Sequence, residues 1–142
     1  MKKQWKRALA AAAALFTLTL SVCACGRVLD GEDMVSKTYT PISQEKAREM
    51  MEQEEGCIIV DVRRQDEFES GHIPGAVCIP NETIGGKPPG ELPDPDQIIL
   101  VYCRSGNRSR QAAEKLAGMG YTNVYEFGGI MDWTGEVVTE EE

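Results

Sequence analysis

The fold of this chain is decided by residues 98–120, IILVYCRSGNRSRQAAEKLAGMG. The first six of these residues are apolar on consecutive positions, which is typical of a strand buried on both faces of a sheet. Cys103 ends that run, and a short polar loop then leads into a helical pattern that stops at Gly118 or Gly120. The stretch therefore predicts a β-strand, a loop and an α-helix in succession.

Other short apolar runs predict further strands. They are residues 57–62 (CIIVDV), 76–80 (AVCIP), 123–127 (NVYEF) and a weaker edge strand at 37–42 (KTYTPI) that a proline interrupts. Helical patterns lie between them, one capped by Ser43 and a short one around Phe68. The proline-rich residues 81–96 predict a long surface connection. Alternating strands and helices indicate an α/β domain with right-handed crossovers.

Length and charge limit the possible functions. The chain has 142 residues and a mass of 15.6 kDa, which fits one domain with a short appendage. Fifteen basic residues stand against 23 acidic ones, giving a net charge of -8. Because phosphate backbones attract basic proteins, we expect no nucleic acid partner.

The amino-terminal segment resembles an export signal. Residues 1–7 carry four positive charges, and residues 8–22 are uncharged and mostly apolar, which is the layout of a signal peptide. The following LSVCACG resembles the lipobox of bacterial lipoproteins, with Cys25 as the lipidated residue and Cys23 as the alternative. We therefore predict a lipid-anchored protein of the bacterial cell envelope, on the outer face of the cytoplasmic membrane or in the periplasm.

The same segment sets the expected domain boundaries. Residues 1–24 form the signal peptide and residues 25–37 the linker between the lipid and the domain. The domain itself is expected at residues 38–138, and residues 139–142 form an acidic tail with no assigned function. Nothing in the sequence demands more than a monomer.

The cysteines of the domain differ in their predicted roles. Cys57 and Cys78 lie within predicted strands and are expected to pack in the core. Three cysteines without a C-x-x-C spacing argue against a disulfide scaffold, and no cluster of His and Cys has the spacing of metal ligands. Cys103 instead lies between a strand end and a helix start, where loop amides and arginines favour the thiolate. Cys103 is therefore the candidate nucleophile.

Four motifs resemble those of single-domain rhodaneses, the thiosulfate sulfurtransferase family. They are CRSGNRS at residues 103–109, DVR at 61–63, GHIPGA at 71–76 and FGGIMDW at 127–133, in the family's order and spacing. The resemblance covers about residues 38–138 and implies a five-stranded, mostly parallel sheet with helices on both faces. It also implies transfer of sulfane sulfur through a persulfide on Cys103, without a cofactor.

The resemblance also implies roles for the surrounding residues. The loop would bind a small anionic sulfur donor, with a thiol or cyanide as the acceptor. Arg63 is expected at the same rim, Arg64 and Arg110 on solvated surface, and His72 in a structural role at its turn. Asp61 either orients the loop or caps the turn after its own strand. The donor-binding loop residues are Arg104, Ser105, Gly106, Asn107 and Arg108.

Two alternatives remain open from the sequence. One is a non-catalytic rhodanese-homology module that binds a partner or delivers sulfur to it. The other is a phosphatase or arsenate reductase, but the related phosphatases use C-x5-R, whereas Arg108 gives C-x4-R and Ser109 stands at the next position. The intact Cys103 and both loop arginines favour sulfur transfer over either alternative.

Overall fold

The domain is built on one parallel sheet. The computed structural model describes residues 38–139, so the predicted signal peptide, Cys25, the linker and residues 140–142 lie outside the described residues. The strands lie in the order β1-β5-β4-β2-β3. Every neighbouring pair is parallel, where the sequence predicted a mostly parallel sheet. The strands are β1 (Thr40–Pro41), β2 (Ile58–Asp61), β3 (Val77–Cys78), β4 (Ile98–Cys103) and β5 (Asn123–Gly129).

Three helices connect the strands. They are α1 (Gln44–Gln53), α2 (Gln65–Glu69) and α3 (Asn107–Gly118). The predicted cap of α1 is confirmed, because the Ser43 hydroxyl accepts the backbone N–H of Lys46 at 3.1 Å. Two short 3-10 helices, Asn81–Thr83 and Ile130–Asp132, follow β3 and β5.

Two apolar clusters cover the two faces of the sheet. On one face Leu116 of α3 packs with Val60 and Val101, and on the other face Met50 of α1 packs with Leu100. Successive residues of β4 therefore point to opposite faces and are buried on both, as the continuous apolar run predicted. Burying each such side chain stabilises the fold by about 1.5–3 kcal/mol, and the two clusters fix helices on both faces.

The region after β2 differs from the sequence-based prediction in two ways. The strand expected at residues 76–80 is reduced to Val77–Cys78, although the backbone N–H groups of Ile79 and Asn81 still donate to the carbonyls of Asp61 and Val62 beyond it. The connection over residues 81–96 is not all surface: Ile84 and Leu92 are 2% and 1% exposed and belong to the core of the α3 face. Their burial anchors a proline-rich loop that otherwise lies in solvent.

The parallel arrangement brings the carboxyl ends of the strands to one edge. β4 lies near the middle of the sheet, between β2 and β5, and ends at Cys103. Ligands of open α/β sheets bind at this edge, so the fold places Cys103 where the sequence predicted a site. Among residues 38–139, no helix is long and apolar enough to cross a bilayer.

Candidate active site

The sulfur of Cys103 lies beneath the first turn of α3. Cys103 is 1% exposed, and its Sγ accepts the backbone N–H of Gly106 at 3.0 Å. Gly106 stands just before the helix with a φ of 98°, a conformation that glycine adopts at little cost and other residues rarely adopt. This turn directs backbone N–H groups at the sulfur, and so it is what makes the strand end a candidate nucleophile site.

The surroundings of Cys103 shift its protonation. Burial of the sulfur alone would raise the pKa of the thiol, but polar contacts outweigh it and hold the pKa below its ordinary value. These contacts come from the Ser109 hydroxyl and the backbone N–H groups of Ser109, Gly106 and Ser105. A larger thiolate fraction at neutral pH makes Cys103 a better nucleophile.

Arg108 is held by an acidic partner that the sequence did not suggest. Its Nη1 and Nη2 donate to the two carboxylate oxygens of Glu67 at 2.6 and 2.8 Å. The pair is partly exposed, at 27% and 21% of the two side chains. The Arg108 hydrogen bonds lower the pKa of Glu67 to about 2. This ion pair joins α2 to the loop and offsets the charge of Arg108, which sequence reasoning had assigned to the Cys103 thiolate and to a donor anion.

The other loop residues lie at the surface around the sulfur. Arg104 and Ser105 are exposed, and the carbonyl of Arg104 accepts the N–H of Met131 at 3.2 Å. That carbonyl also lies so close to Gly129 that a Cβ there would collide with it. Asn107 is exposed and accepts a hydrogen bond from Arg110 Nη2 at 2.9 Å. Because Gly129 has no Cβ, the Cys103 loop can lie directly against the end of β5 and the turn that follows it.

Arg63 does not lie where the sequence predicted. It is 5% exposed, and its Nη2 bonds to Asp61 Oδ2 at 2.6 Å and to the carbonyl of Gly71 at 2.7 Å. Asp61, fully buried, also accepts the backbone N–H of Arg63 at 3.0 Å and so caps the turn after β2. Asp61, two residues earlier in the chain, binds the guanidinium inside the protein. Arg63 is therefore not available to bind a donor anion. Arg64 is exposed and pairs with Asp66.

His72 lies in the turn before β3. Its Nδ1 donates to the carbonyl of Phe68 at 3.0 Å, and its ring stacks on the Phe68 ring at 3.8 Å between centroids. Its backbone pairs with that of Val138 through two hydrogen bonds of 2.8 Å. These contacts join α2, the turn and the carboxyl-terminal end of the domain. They hold the imidazole away from the Cys103 loop.

Sequence reasoning missed a buried polar pair behind the sulfur. Ser109 is fully buried, and its hydroxyl donates to Oε1 of Glu126 at 2.6 Å. The same hydroxyl oxygen lies 3.5 Å from Cys103 Sγ. Glu126 is 7% exposed and lies within β5. An acidic residue inside an apolar strand pattern was the available sign, since a buried carboxylate needs hydrogen-bond donors.

The remaining thiols and acids form no metal site. Cys57 and Cys78 are half-buried, and burial raises the pKa of Cys57. Within residues 38–139, no group of three or more His, Cys, Asp or Glu is arranged to hold a metal ion.

Known proteins are similar to this chain in sequence and in fold. Residues 43–136 match the family described as Rhodanese-like domain. The chain is 37% identical over 73 residues to the thiosulfate sulfurtransferase PspE of Escherichia coli (strain K12), covering 51% of this chain and 70% of that protein. It is 39% identical over 96 residues to the thiosulfate sulfurtransferase GlpE of Pseudomonas syringae pv. syringae (strain B728a), covering 67% of this chain and 87% of that protein.

Solved structures give the same result. A structure described as a rhodanese with anions from E. coli superimposes with a TM-score of 0.54 and 34% identity, covering 58% of this chain and 98% of that one. A rhodanese-related protein from Thermoplasma volcanium has a TM-score of 0.59 and 30% identity, covering 72% of this chain and 100% of that one. With its parallel sheet and its cysteine loop in place, this chain belongs to the rhodanese family, whose members include thiosulfate sulfurtransferases.

Proposed function

We propose that the protein is a sulfurtransferase that carries sulfane sulfur as a persulfide on Cys103. The donor is thiosulfate or a similar small anion, and the acceptor is a thiol or cyanide. The observation that carries this proposal is the placement of the Cys103 sulfur at the end of β4, where it accepts the Gly106 N–H at 3.0 Å. A sulfur held in this way is stabilised as an anion, which both the thiolate and the persulfide are.

Loading begins with attack by the Cys103 thiolate on the outer sulfur of the donor. A sulfur–sulfur bond forms on Cys103, the sulfur–sulfur bond of thiosulfate breaks, and sulfite leaves with that bond's electron pair. Arg104 is exposed next to the nucleophile and attracts the anionic donor. Arg108 contributes less positive charge than its position suggests because Glu67 binds it.

In the discharge step Cys103 is the leaving group instead of the nucleophile. An acceptor thiolate or cyanide attacks the terminal sulfur of the persulfide, and Cys103 leaves as the thiolate. The N–H groups that favour the thiolate in the empty protein therefore also favour this leaving group. Both steps begin from an ionised sulfur and need no general base.

The proposal is tested by the formation of thiocyanate from thiosulfate and cyanide. The purified protein should produce thiocyanate with saturation in both substrates. A protein that binds thiosulfate but forms no thiocyanate and releases no sulfite, with Cys103 shown to be reduced, would contradict it. That result would favour the non-catalytic binding module.

We also propose that the protein is a monomer anchored by a lipid on Cys25 to the bacterial cell envelope, on the outer face of the cytoplasmic membrane or in the periplasm. The support is the sequence alone: a basic start, an apolar run and LSVCACG. Cys25→Ala should move the protein from the membrane fraction to the soluble fraction, while Cys23→Ala should leave it on the membrane. Retention of the Cys25→Ala protein would contradict Cys25 as the lipidated residue, and retention of a variant lacking both cysteines would contradict the lipid anchor.

A further inference from the structure

A buried carboxylate lies one hydroxyl group away from the sulfur of Cys103. Oε1 of Glu126 accepts the Ser109 hydroxyl at 2.6 Å and the Gly128 N–H at 2.9 Å. Both are hydrogen bonds that this oxygen accepts, as a carboxylate oxygen does. Because the Ser109 oxygen lies 3.5 Å from Sγ, the carboxylate oxygen is within about 6 Å of the sulfur, close enough for two charges to interact strongly. The loading and discharge steps give this carboxylate no role.

Ser109 has one hydroxyl hydrogen and several acceptors around it. The acceptors are the sulfur, Oε1 of Glu126, and the carbonyls of Gly106 at 3.0 Å and Gly128 at 3.3 Å. A short hydrogen bond to a charged carboxylate is the strongest of these, so Glu126 competes with the sulfur for the hydrogen. A negative charge on Sγ is therefore repelled by the Glu126 carboxylate. It also receives a weaker hydrogen bond from the Ser109 hydroxyl, because that hydroxyl donates to Glu126.

The empty and loaded forms of Cys103 respond differently to that charge. The empty form carries its negative charge on Sγ, whereas the persulfide carries it on the terminal sulfur, about 2 Å farther along the chain of bonds. Ser109 is fully buried, so a donor has to deliver its sulfur on the side of Sγ away from Ser109 and Glu126. The persulfide charge is therefore farther from the carboxylate than the thiolate charge is.

We propose that Glu126 is a positioning residue that acts through Ser109 and its own charge to favour the sulfur-loaded form of Cys103 over the empty thiolate. The inference rests on the proposed function of Cys103 as a sulfur carrier. It adds that the site favours the sulfur-loaded state, because the Glu126 carboxylate near the sulfur disfavours the empty thiolate. Discharge then depends on a strongly nucleophilic acceptor.

Two of the other charged groups around the sulfur have partners of opposite charge, whereas the exposed Arg104 and Arg110 make no salt bridge within residues 38–139. Arg108 approaches from α3 and interacts with Cys103, but Glu67 of α2 pairs with it. Asp61 of the neighbouring β2 pairs with Arg63. Glu126 also makes no salt bridge within residues 38–139, so no ion pair offsets its charge near the sulfur.

The test is the loading equilibrium of Glu126→Gln compared with the unaltered protein. Each is incubated with thiosulfate and sulfite at a series of ratios, and the loaded fraction is measured by intact mass. Gln keeps the shape and removes the charge, so the equilibrium constant for loading should fall about two- to threefold at an effective dielectric constant near 20. The ultraviolet absorbance of the empty thiolate should also appear at lower pH in the variant, measured as a difference from the same protein carrying Cys103→Ser.

Two matched variants separate charge from structure. Glu126→Asp retains a carboxylate and should restore most of the loading constant, and Glu114→Gln, exposed on α3, should leave it unchanged. Ser109→Ala removes a donor to the thiolate while the charge stays, so its loading constant should be equal to or above that of the unaltered protein. A merely structural role would lower loading in Ser109→Ala and Glu126→Gln alike.

The outcomes also separate this inference from the proposed function. No sulfur uptake by the unaltered protein at any ratio would overturn both. Uptake with an unchanged loading constant in Glu126→Gln would overturn only the role of Glu126. If Glu126→Gln does not fold, reduced loading in folded Ser109→Ala would overturn that role by itself.

Discussion

Cys103 and Cys78 both end parallel strands at the same edge of one sheet, but their sulfurs have opposite surroundings. Cys103 Sγ accepts an N–H from Gly106 at 3.0 Å, which favours the thiolate. The Cys78 thiol instead donates toward the carbonyl of Arg63 at 3.7 Å. Cys103 is almost fully buried, and Cys78 is half-buried. Exposure therefore does not decide which cysteine is the candidate nucleophile.

The chain that follows each strand accounts for the difference. After β4 the chain turns through Gly106 directly into α3, so the free N–H groups of a helix start surround the sulfur. After β3 come Ile79, whose N–H donates to Asp61, and Pro80, which has no N–H, and then only a three-residue 3-10 helix. The reactive position is therefore defined by a strand, a tight turn and a long helix together.

Exchanging each thiol for a hydroxyl should break this comparison most clearly. Cys103→Ser should lower the rate of thiocyanate formation at least about a thousandfold because the nucleophile is lost. Cys78→Ser should change that rate less than about twofold, with a stability loss of up to about 1 kcal/mol. Steady-state rates and thermal unfolding of both variants measure this. Equal losses of activity at unchanged stability would refute the assignment of Cys103.

Removing the turn should have the next largest effect. Gly106→Ala places a Cβ at a φ of 98°, so the turn relaxes and the N–H moves off the sulfur. We expect a stability loss of about 1–2 kcal/mol and sulfur transfer about 10- to 100-fold slower.

The matched control for this variant is Gly120→Ala. Gly120 has a φ of 105°, follows α3, and would meet nothing within 4 Å. It should lose similar stability and keep its transfer rate. A transfer rate reduced equally in both variants would mean that stability alone explains the loss.

The ion pair beside Cys103 should have the smallest effect, and that effect should depend on pH. The Arg108 hydrogen bonds hold the pKa of Glu67 at about 2 in the folded protein, below the ordinary value of 4.5. The resulting stabilisation is full above about pH 4.5 and is lost as the pH falls toward 2. Glu67→Gln should therefore lower stability by about 1–2 kcal/mol at pH 7, after allowance for screening.

Denaturant unfolding across pH measures the effect of Glu67→Gln. The difference from the unaltered protein should shrink steadily on acidification. Glu69→Gln, exposed on the same helix, is the control and should show little difference at any pH. A Glu67→Gln difference that stays constant from pH 7 to pH 3 would contradict the ion pair.

The sequence predicted the part of the site that is local in the chain. The apolar run of β4, its terminal Cys103 and the glycine turn into α3 lie within a few residues, and their order alone indicates the geometry. Strand ends were less predictable: the strand expected at residues 76–80 is only Val77–Cys78, the two residues that pair with Val60 and Asp61.

The side-chain pairs of the site could not be predicted from local sequence. Arg63 was expected to face a donor, but Asp61 two residues earlier binds it inside the protein. Glu67 and Arg108 meet only because α2 packs beside the loop, 41 residues away in sequence. Glu126 reaches Ser109 only because β5 lies next to β4. Such contacts depend on strand order, which a single sequence does not reveal.

The central claim is that Cys103 carries sulfur, and intact-mass spectrometry tests it most directly. The reduced protein and its Cys103→Ser variant are measured before and after incubation with thiosulfate, and again after cyanide. The unaltered protein should gain one sulfur atom and lose it to cyanide, and the variant should gain none. An equal gain in Cys103→Ser, or a gain located on Cys78, would contradict the claim.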